Sequence, residues 1–173
     1  AAGTEIIYLQ AILSLPKGCE HFISDVHGEH EAFLHLLNSC SGVIRERLDL
    51  LFKDTVPHAE LDQLATLIYY PEEKLAQLRP EIDAPEEWYR ITLYRLIEVC
   101  RSVSSRYSRS KVRKALPPDY AYIIEELLHT HSEEIDKHDY YKNIISTIVE
   151  IGQAPDFIAA ICEVISLDRK SVE

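Results

Sequence analysis

The chain has 173 residues, 46% of them hydrophobic and 27% charged, a balance that excludes a disordered tract and is long enough to bury a core without disulfide or metal staples. Its formal net charge of -11 and pI near 5.2 disfavour general binding to nucleic acid or to anionic lipid, so an anionic ligand would need a local cluster of Lys, Arg or metal ions. Cys19, Cys40, Cys100 and Cys162 form no Cys-x-x-Cys pair, which excludes a zinc knuckle or dithiol motif and leaves reduced thiols; no apolar run approaches the roughly 20 residues of a membrane span, and a cytoplasmic protein is expected.

In chain order, the apolar residues Ile6, Ile7, Leu9, Ala11, Ile12 and Leu13 predict a short helix over 4–15, stopped by Pro16 and Gly18. The absence of Met, with Ala1 already on the approach to that helix, leads us to expect a missing start. Next comes Cys19-Glu20-His21-Phe22-Ile23-Ser24, short, partly apolar and bounded by a glycine turn. It predicts one buried strand at about residues 19–25. A lone strand cannot satisfy its backbone donors and acceptors, so its partner strands are expected outside this chain.

From Glu29 onward the spacing is helical. Phe33, Leu36 and Leu37 share one face, and Leu61, Leu64, Ala65 and Ile68 another, at the i, i+3, i+4, i+7 positions of amphipathic helices. Tyr69-Tyr70-Pro71 ends the second of these, because the proline ring disfavours helical geometry at Tyr70 and removes a donor. A short helix over 72–78 closes at Arg79-Pro80. A long one opens at Pro85-Glu86-Glu87 and carries the stripe Leu93, Leu96, Ile97, Cys100. Ser102, Ser104 and Ser105 weaken it toward a basic stretch, and Pro117-Pro118-Asp119 breaks and caps the chain again. Ile123, Ile124, Leu127 and Leu128 mark the next helix. Two more, around Ile144, Ile145, Ile148 and Val149 and over 157–165, are separated by Gly152 and Pro155. Residues 168–173, Asp-Arg-Lys-Ser-Val-Glu, read as a non-native tail, because the sequencing-adapter string GATCGGAAGAGC translates to Asp-Arg-Lys-Ser. An ordinary charged helix end is the alternative.

The motif with chemistry is Ser24-Asp25-Val26-His27-Gly28-Glu29. A carboxylate and an imidazole two residues apart at a strand end can face one metal ion, and Gly28 gives the backbone room to turn into a helix. Oxygen and nitrogen donors of this kind suit Mn, Fe or Zn. The plain alternative is a strand-end turn carrying a polar histidine.

The whole run from Leu15 to Glu29 resembles the first metal motif of class III fructose-1,6-bisphosphatases, calcineurin-like metallophosphatases. Further blocks resemble that family in the same order: Ser41 to Glu46, Leu67 to Glu72, Tyr107 to Pro117, and Glu125 to Leu128. The resemblance implies a fold that is mainly α in this chain, with one strand contributed to a calcineurin-like α/β/β/α sandwich whose remainder is missing. It divides the chain into a first helix, strand and metal motif at 1–30, a helical insertion at 31–150, and a helix returning to the phosphatase core at 151–167. It implies hydrolysis of fructose 1,6-bisphosphate in gluconeogenesis by water activated at two metals, with manganese typical. Asp25 and His27 would ligate one metal, and Asp25 would reach the other. The family's Gly-Asp-x-x-Asp-Arg-Gly and Gly-Asn-His motifs, and with them the catalytic histidine, are absent from these residues, so the chain alone is expected to be inactive. The partner implied is a small sugar bisphosphate, with no nucleic acid and no membrane; nothing specifies an oligomeric state.

Arg106, Arg109, Lys111, Arg113 and Lys114 form the basic cluster of this acidic chain. Arg109, Lys111, Arg113 and Lys114 are the candidates for meeting substrate phosphate, against the alternative of a solvated helix end. His27, His30 and Glu31 could instead gather on a helix start, and His129-Thr130-His131 with Glu133, Glu134 and His138 is a further polar group read as an exposed helix end. The ten tyrosines read as core-edge residues with solvated hydroxyls. Two rival functions remain at this level: another calcineurin-like phosphatase, acting on phosphoproteins or nucleotides, and a free-standing helical interaction module in which the Asp25-to-Gly28 turn is a coincidence.

Overall fold

The computed structural model describes residues 2–16, 27–33, 42–129 and 137–167. Among them lie α1 (Ala2–Leu13), α2 (Val43–Phe52), α3 (His58–Tyr69), α4 (Pro71–Leu78) with a 3₁₀ turn at Arg79–Glu81, α5 (Pro85–Ser104), α6 (Arg109–Ala115), α7 (Ala121–His129), α8 (His138–Glu150) and α9 (Ala154–Ile165). The expected mixed architecture, with one strand at 19–25, is corrected to an all-helical one: among the described residues every regular element is a helix and none is a strand. A strand satisfies its backbone groups only against another strand, and the described residues supply no such partner; residues 19–25 themselves lie outside them. No helix among the described residues is long and apolar enough to cross a membrane.

The punctuation acts as its chemistry dictates. Tyr70 takes φ -137° between α3 and α4, and Pro71 opens α4 at its first position, where its missing N–H costs nothing. Pro85 opens α5 in the same way, followed by Glu86 and Glu87 in a first turn that favours negative charge. Ser108 starts α6, its side-chain oxygen accepting the Lys111 N–H at 3.3 Å. At the end of α8, Gly152 sits at φ +74°; its N–H donates to the Val149 carbonyl and that of Gln153 to the Ile148 carbonyl, both at 3.0 Å. This is a Schellman closure, and it turns the chain directly into α9.

The core is organised around α9. Eight of its twelve residues are buried, from Ala154 to Ile165, more than one face of a surface helix can account for. It packs on α5 most extensively and also meets α3, α4, α6 and α8. The facing stripe of α5 buries Leu93, Leu96, Ile97, Val99, Cys100 and Val103, and Phe157, Ile158 and Val164 of α9 are wholly enclosed. Each such side chain contributes roughly 1.5–3 kcal/mol relative to exposure. The Tyr120 ring meets Phe157 edge-on, with centroids 5.1 Å apart.

Around this pair the remaining helices attach by apolar contact and a few ion pairs. Arg45 of α2 pairs with Asp49 and Asp62 and touches His58, joining α2 to α3. Arg95 of α5 pairs with Glu60 of α3 at 2.9 Å. The first helix differs from all the others: α1 buries no residue, and Ile6, Ile7, Leu9 and Leu13 are all exposed.

Two substitutions test this packing by urea denaturation of the 173-residue chain. Phe157→Ala should cost about 3–5 kcal/mol, the usual loss for a large core aromatic. Gly152→Ala should cost about 1–2 kcal/mol, because an added Cβ meets nothing within 4 Å and only the left-handed backbone resists it.

Candidate functional site

The metal motif reaches the described residues only at its second half. His27 has φ +44° and Gly28 φ +76°, two consecutive left-handed residues in a turn. Glycine adopts that conformation freely; a histidine held there stores strain, as residues at functional turns often do. The Gly28 carbonyl accepts the His30 N–H and the Glu29 carbonyl accepts the Phe33 N–H, each at 2.9 Å, so a helical segment starts at His30. His27 is exposed. Asp25, the carboxylate expected to work with it, lies outside the described residues.

The alternative cluster on the helix start does not form. His27, His30 and Glu31 are all described, and no group of three or more His, Cys, Asp or Glu placed to hold a metal occurs among the described residues. Of the later polar group, Thr130, His131, Glu133 and Glu134 lie outside them, His129 ends α7 and His138 starts α8.

The basic candidates occupy α6, and two of the four share a cavity. Arg109 and Arg113 line a cavity of about 360 Å³ between the end of α5, α6 and α7, whereas Lys111 and Lys114 are not part of its lining. The Lys111 Nζ stands 4.5 Å from the centre of the Tyr107 ring, close enough for a cation–π attraction. Arg113 pairs with Glu125 of α7 at 2.9 Å. Tyr8 of α1 approaches this corner, its hydroxyl 3.5 Å from the Ser108 Oγ. Contacts with Ser108 and Ser110, with a smaller effect from Lys114, lower the Tyr8 phenol from its ordinary value.

The residue that builds the cavity wall is one the sequence reading passed over. Arg101 donates from Nε and Nη2 to the Leu127 carbonyl at 3.0 and 2.6 Å, pairs with Glu98 one turn back, and lies 5.2 Å from the Tyr141 ring centre. One guanidinium therefore ties α5 to the C-terminal turn of α7 and to α8. A signal was available. Arg101 continues the apolar row Leu93, Ile97 at successive i+4 positions, and a cation on the buried row of a helix needs a partner in the core.

Tyr141 departs from the expected solvated tyrosines. It is 1% exposed, and burial pushes its phenol up to about 12, only partly offset by Arg101. Burial likewise pushes the Cys100 thiol up to about 12, which keeps it protonated and unreactive at neutral pH. Both groups titrate at lower pH when unfolded, near 10 for the phenol and 9 for the thiol. Their contribution to stability is thus complete below those unfolded values and is lost as pH rises toward about 12. Alkaline denaturation should begin above pH ~9, and Tyr141→Phe should flatten the part of the stability–pH curve above pH ~10. Denaturant midpoints measured between neutral and alkaline pH check this; an unaltered slope would contradict it.

Fold and site together define a class: an acidic, α-helical unit with an exposed His-Gly turn near its start and a basic cavity beside its longest helix. The comparisons make the assignment sharper. The chain belongs to the Firmicute fructose-1,6-bisphosphatase family, whose model matches residues 1–168. It is 57% identical over 165 residues to the fructose-1,6-bisphosphatase class 3 of Clostridium novyi, covering 95% of this chain and 25% of that protein. The class 3 enzymes of Clostridium acetobutylicum and Clostridium tetani match at 57% over 164 and 165 residues with the same coverage. The chain thus spans about a quarter of the length of the curated relatives it matches. No solved structure matches it.

Proposed function

We propose that the chain is the N-terminal part of a class 3 fructose-1,6-bisphosphatase, an enzyme that removes one phosphate from fructose 1,6-bisphosphate in cytoplasmic gluconeogenesis. The observation that carries this reading is the 57% identity to enzymes of that name across 95% of the chain, together with the Asp25-x-His27-Gly28 motif.

Within that reading Asp25 and His27 would hold a divalent metal of the manganese type. The donor set fits it: a carboxylate oxygen and an imidazole nitrogen suit such ions. The structure supports the fit at His27, whose exposed side chain leaves a left-handed turn and is not enclosed by the helical core. When bound, the metal supplies Lewis-acid polarisation of a phosphoryl oxygen and lowers the pKa of water. The chain's own part is positional. Gly28 permits the left-handed turn at φ +76°, the turn presents the imidazole ahead of the helical segment that starts at His30, and Asp25 would contribute charge to offset that of the ion. Two protein donors leave most of a coordination sphere unfilled, so these 173 residues alone are expected to be inactive, with the remaining ligands and the catalytic histidine supplied by the rest of the enzyme.

The test uses the complete protein. With manganese it should release phosphate from fructose 1,6-bisphosphate, and Asp25→Asn should lower kcat/KM by roughly 100-fold or more, since even residues one shell beyond a metal commonly cost 10–100-fold. Undiminished turnover in Asp25→Asn would reject the ligand assignment. A complete protein inert toward this sugar bisphosphate but active on a phosphoprotein or a nucleotide would replace the substrate.

A further inference from the structure

The cavity between α5, α6 and α7 has its own chemistry, and the metal turn does not account for it. Its volume of about 360 Å³ is within the ordinary range for small-molecule sites. Its lining brings the apolar Val112, Leu116 and Leu128 together with Arg109, Arg113 and Glu125. In a chain of net charge -11, a concavity lined by guanidinium groups is where an anion would concentrate.

Two details show a preference beyond mere charge. Arg113 is partly neutralised by Glu125, but Arg109 has no ion pair among the described residues. Tyr107 lines the same cavity, and its hydroxyl is buried with no hydrogen-bond partner among the described residues. Buried polar groups are nearly always satisfied, and one that is not calls for a missing partner. The Lys111 ammonium over the same ring makes the phenol a better donor. Arg101 is already committed to Leu127, Glu98 and Tyr141, so it acts as wall.

We propose that this cavity binds a small phosphate monoester with an apolar body, the phosphate meeting Arg109, Arg113 and the Tyr107 hydroxyl and the body resting on Val112, Leu116 and Leu128. A phosphate offers three oxygens to these three donors, one more than a carboxylate, and guanidinium groups match it in paired hydrogen bonds. The apolar part of the lining separates this ligand from the substrate of the proposed reaction: a sugar bisphosphate has no apolar body to place there.

The probe is phenyl phosphate, titrated calorimetrically into the 173-residue chain at low salt in EDTA, with inorganic phosphate, phenol and fructose 1,6-bisphosphate as comparators. Working without metal keeps the result independent of Asp25 and His27. Phenyl phosphate should bind saturably and more tightly than all three comparators, and added salt should weaken it. Tyr107→Phe should weaken binding roughly threefold to tenfold, the value of one hydrogen bond, while leaving the melting temperature unchanged or higher because a buried unsatisfied hydroxyl is removed. Arg109→Gln, at an exposed position, should weaken it about tenfold or more. The proposal fails if phenyl phosphate does not bind, if it binds no better than inorganic phosphate or fructose 1,6-bisphosphate, if binding requires manganese, or if neither substitution weakens it. A Tyr107→Phe variant that loses stability would also count against it, since the hydroxyl would then be satisfied within the fold.

Discussion

The contact between α5 and α9 is the constraint on which the rest depends. A 20-residue helix with one apolar stripe cannot bury that stripe alone, and a 12-residue helix apolar on most sides cannot be a surface element. Each satisfies the other, and together they present grooves to α3, α4, α6 and α8. Leu93, Leu96, Phe157 and Ile158 are fully enclosed in this seam, where loss of even one methylene is felt. The Gly152 turn matters for the same reason: it delivers α9 into its place from the end of α8.

The cavity inherits its shape from that seam. Cys100 and Val103 hold the last turns of α5 in the core, and Arg101 between them reaches outward to close the end of α7 through the Leu127 carbonyl. Ser108 then starts α6 beside it, so that Tyr107 and Arg109 flank one wall on either side of the cap. The basic stretch is thereby divided by the helix it forms: Arg109 and Arg113 line the cavity, while Lys111 meets the Tyr107 ring. The α1 helix, touching this corner through Tyr8 and Ser108, stands outside the core altogether.

The helices were legible because their signals are local. Periodicity at Leu61, Leu64, Ala65 and Ile68, the prolines at 71 and 85 and the glycine at 152 mark elements that recur within a residue or two in the structure. The stripe of α5 was readable for the same reason. The helices α2 and α6 were not separately marked: α2 mixes Arg45, Glu46, Arg47 and Asp49 into its apolar spacing, and α6 is seven residues with one buried side chain, Val112. Among the described residues the fold is all-helical rather than mixed; the strand expected at residues 19–25, which lie outside them, rested on a short apolar run bounded by a glycine, a pattern with no periodicity to separate strand from helix and whose pairing depends on residues distant in the chain. At the site, the Asp-x-His-Gly spacing and the basic cluster were visible as letters. Which basic residues share a cavity was not, since it depends on where Ser108 starts a helix and on Arg101, a charge hidden in an apolar row.

The helices α5 and α9 form the cooperative heart of a helical unit in whose core α1 buries no residue. Hydrogen exchange across the 173-residue chain tests it most directly. Amides of α5 and α9 should exchange slowest, only through global unfolding, while those of α1 exchange by local opening far faster. Protection of α1 equal to that of α9, or rapid exchange along α9, would contradict the account.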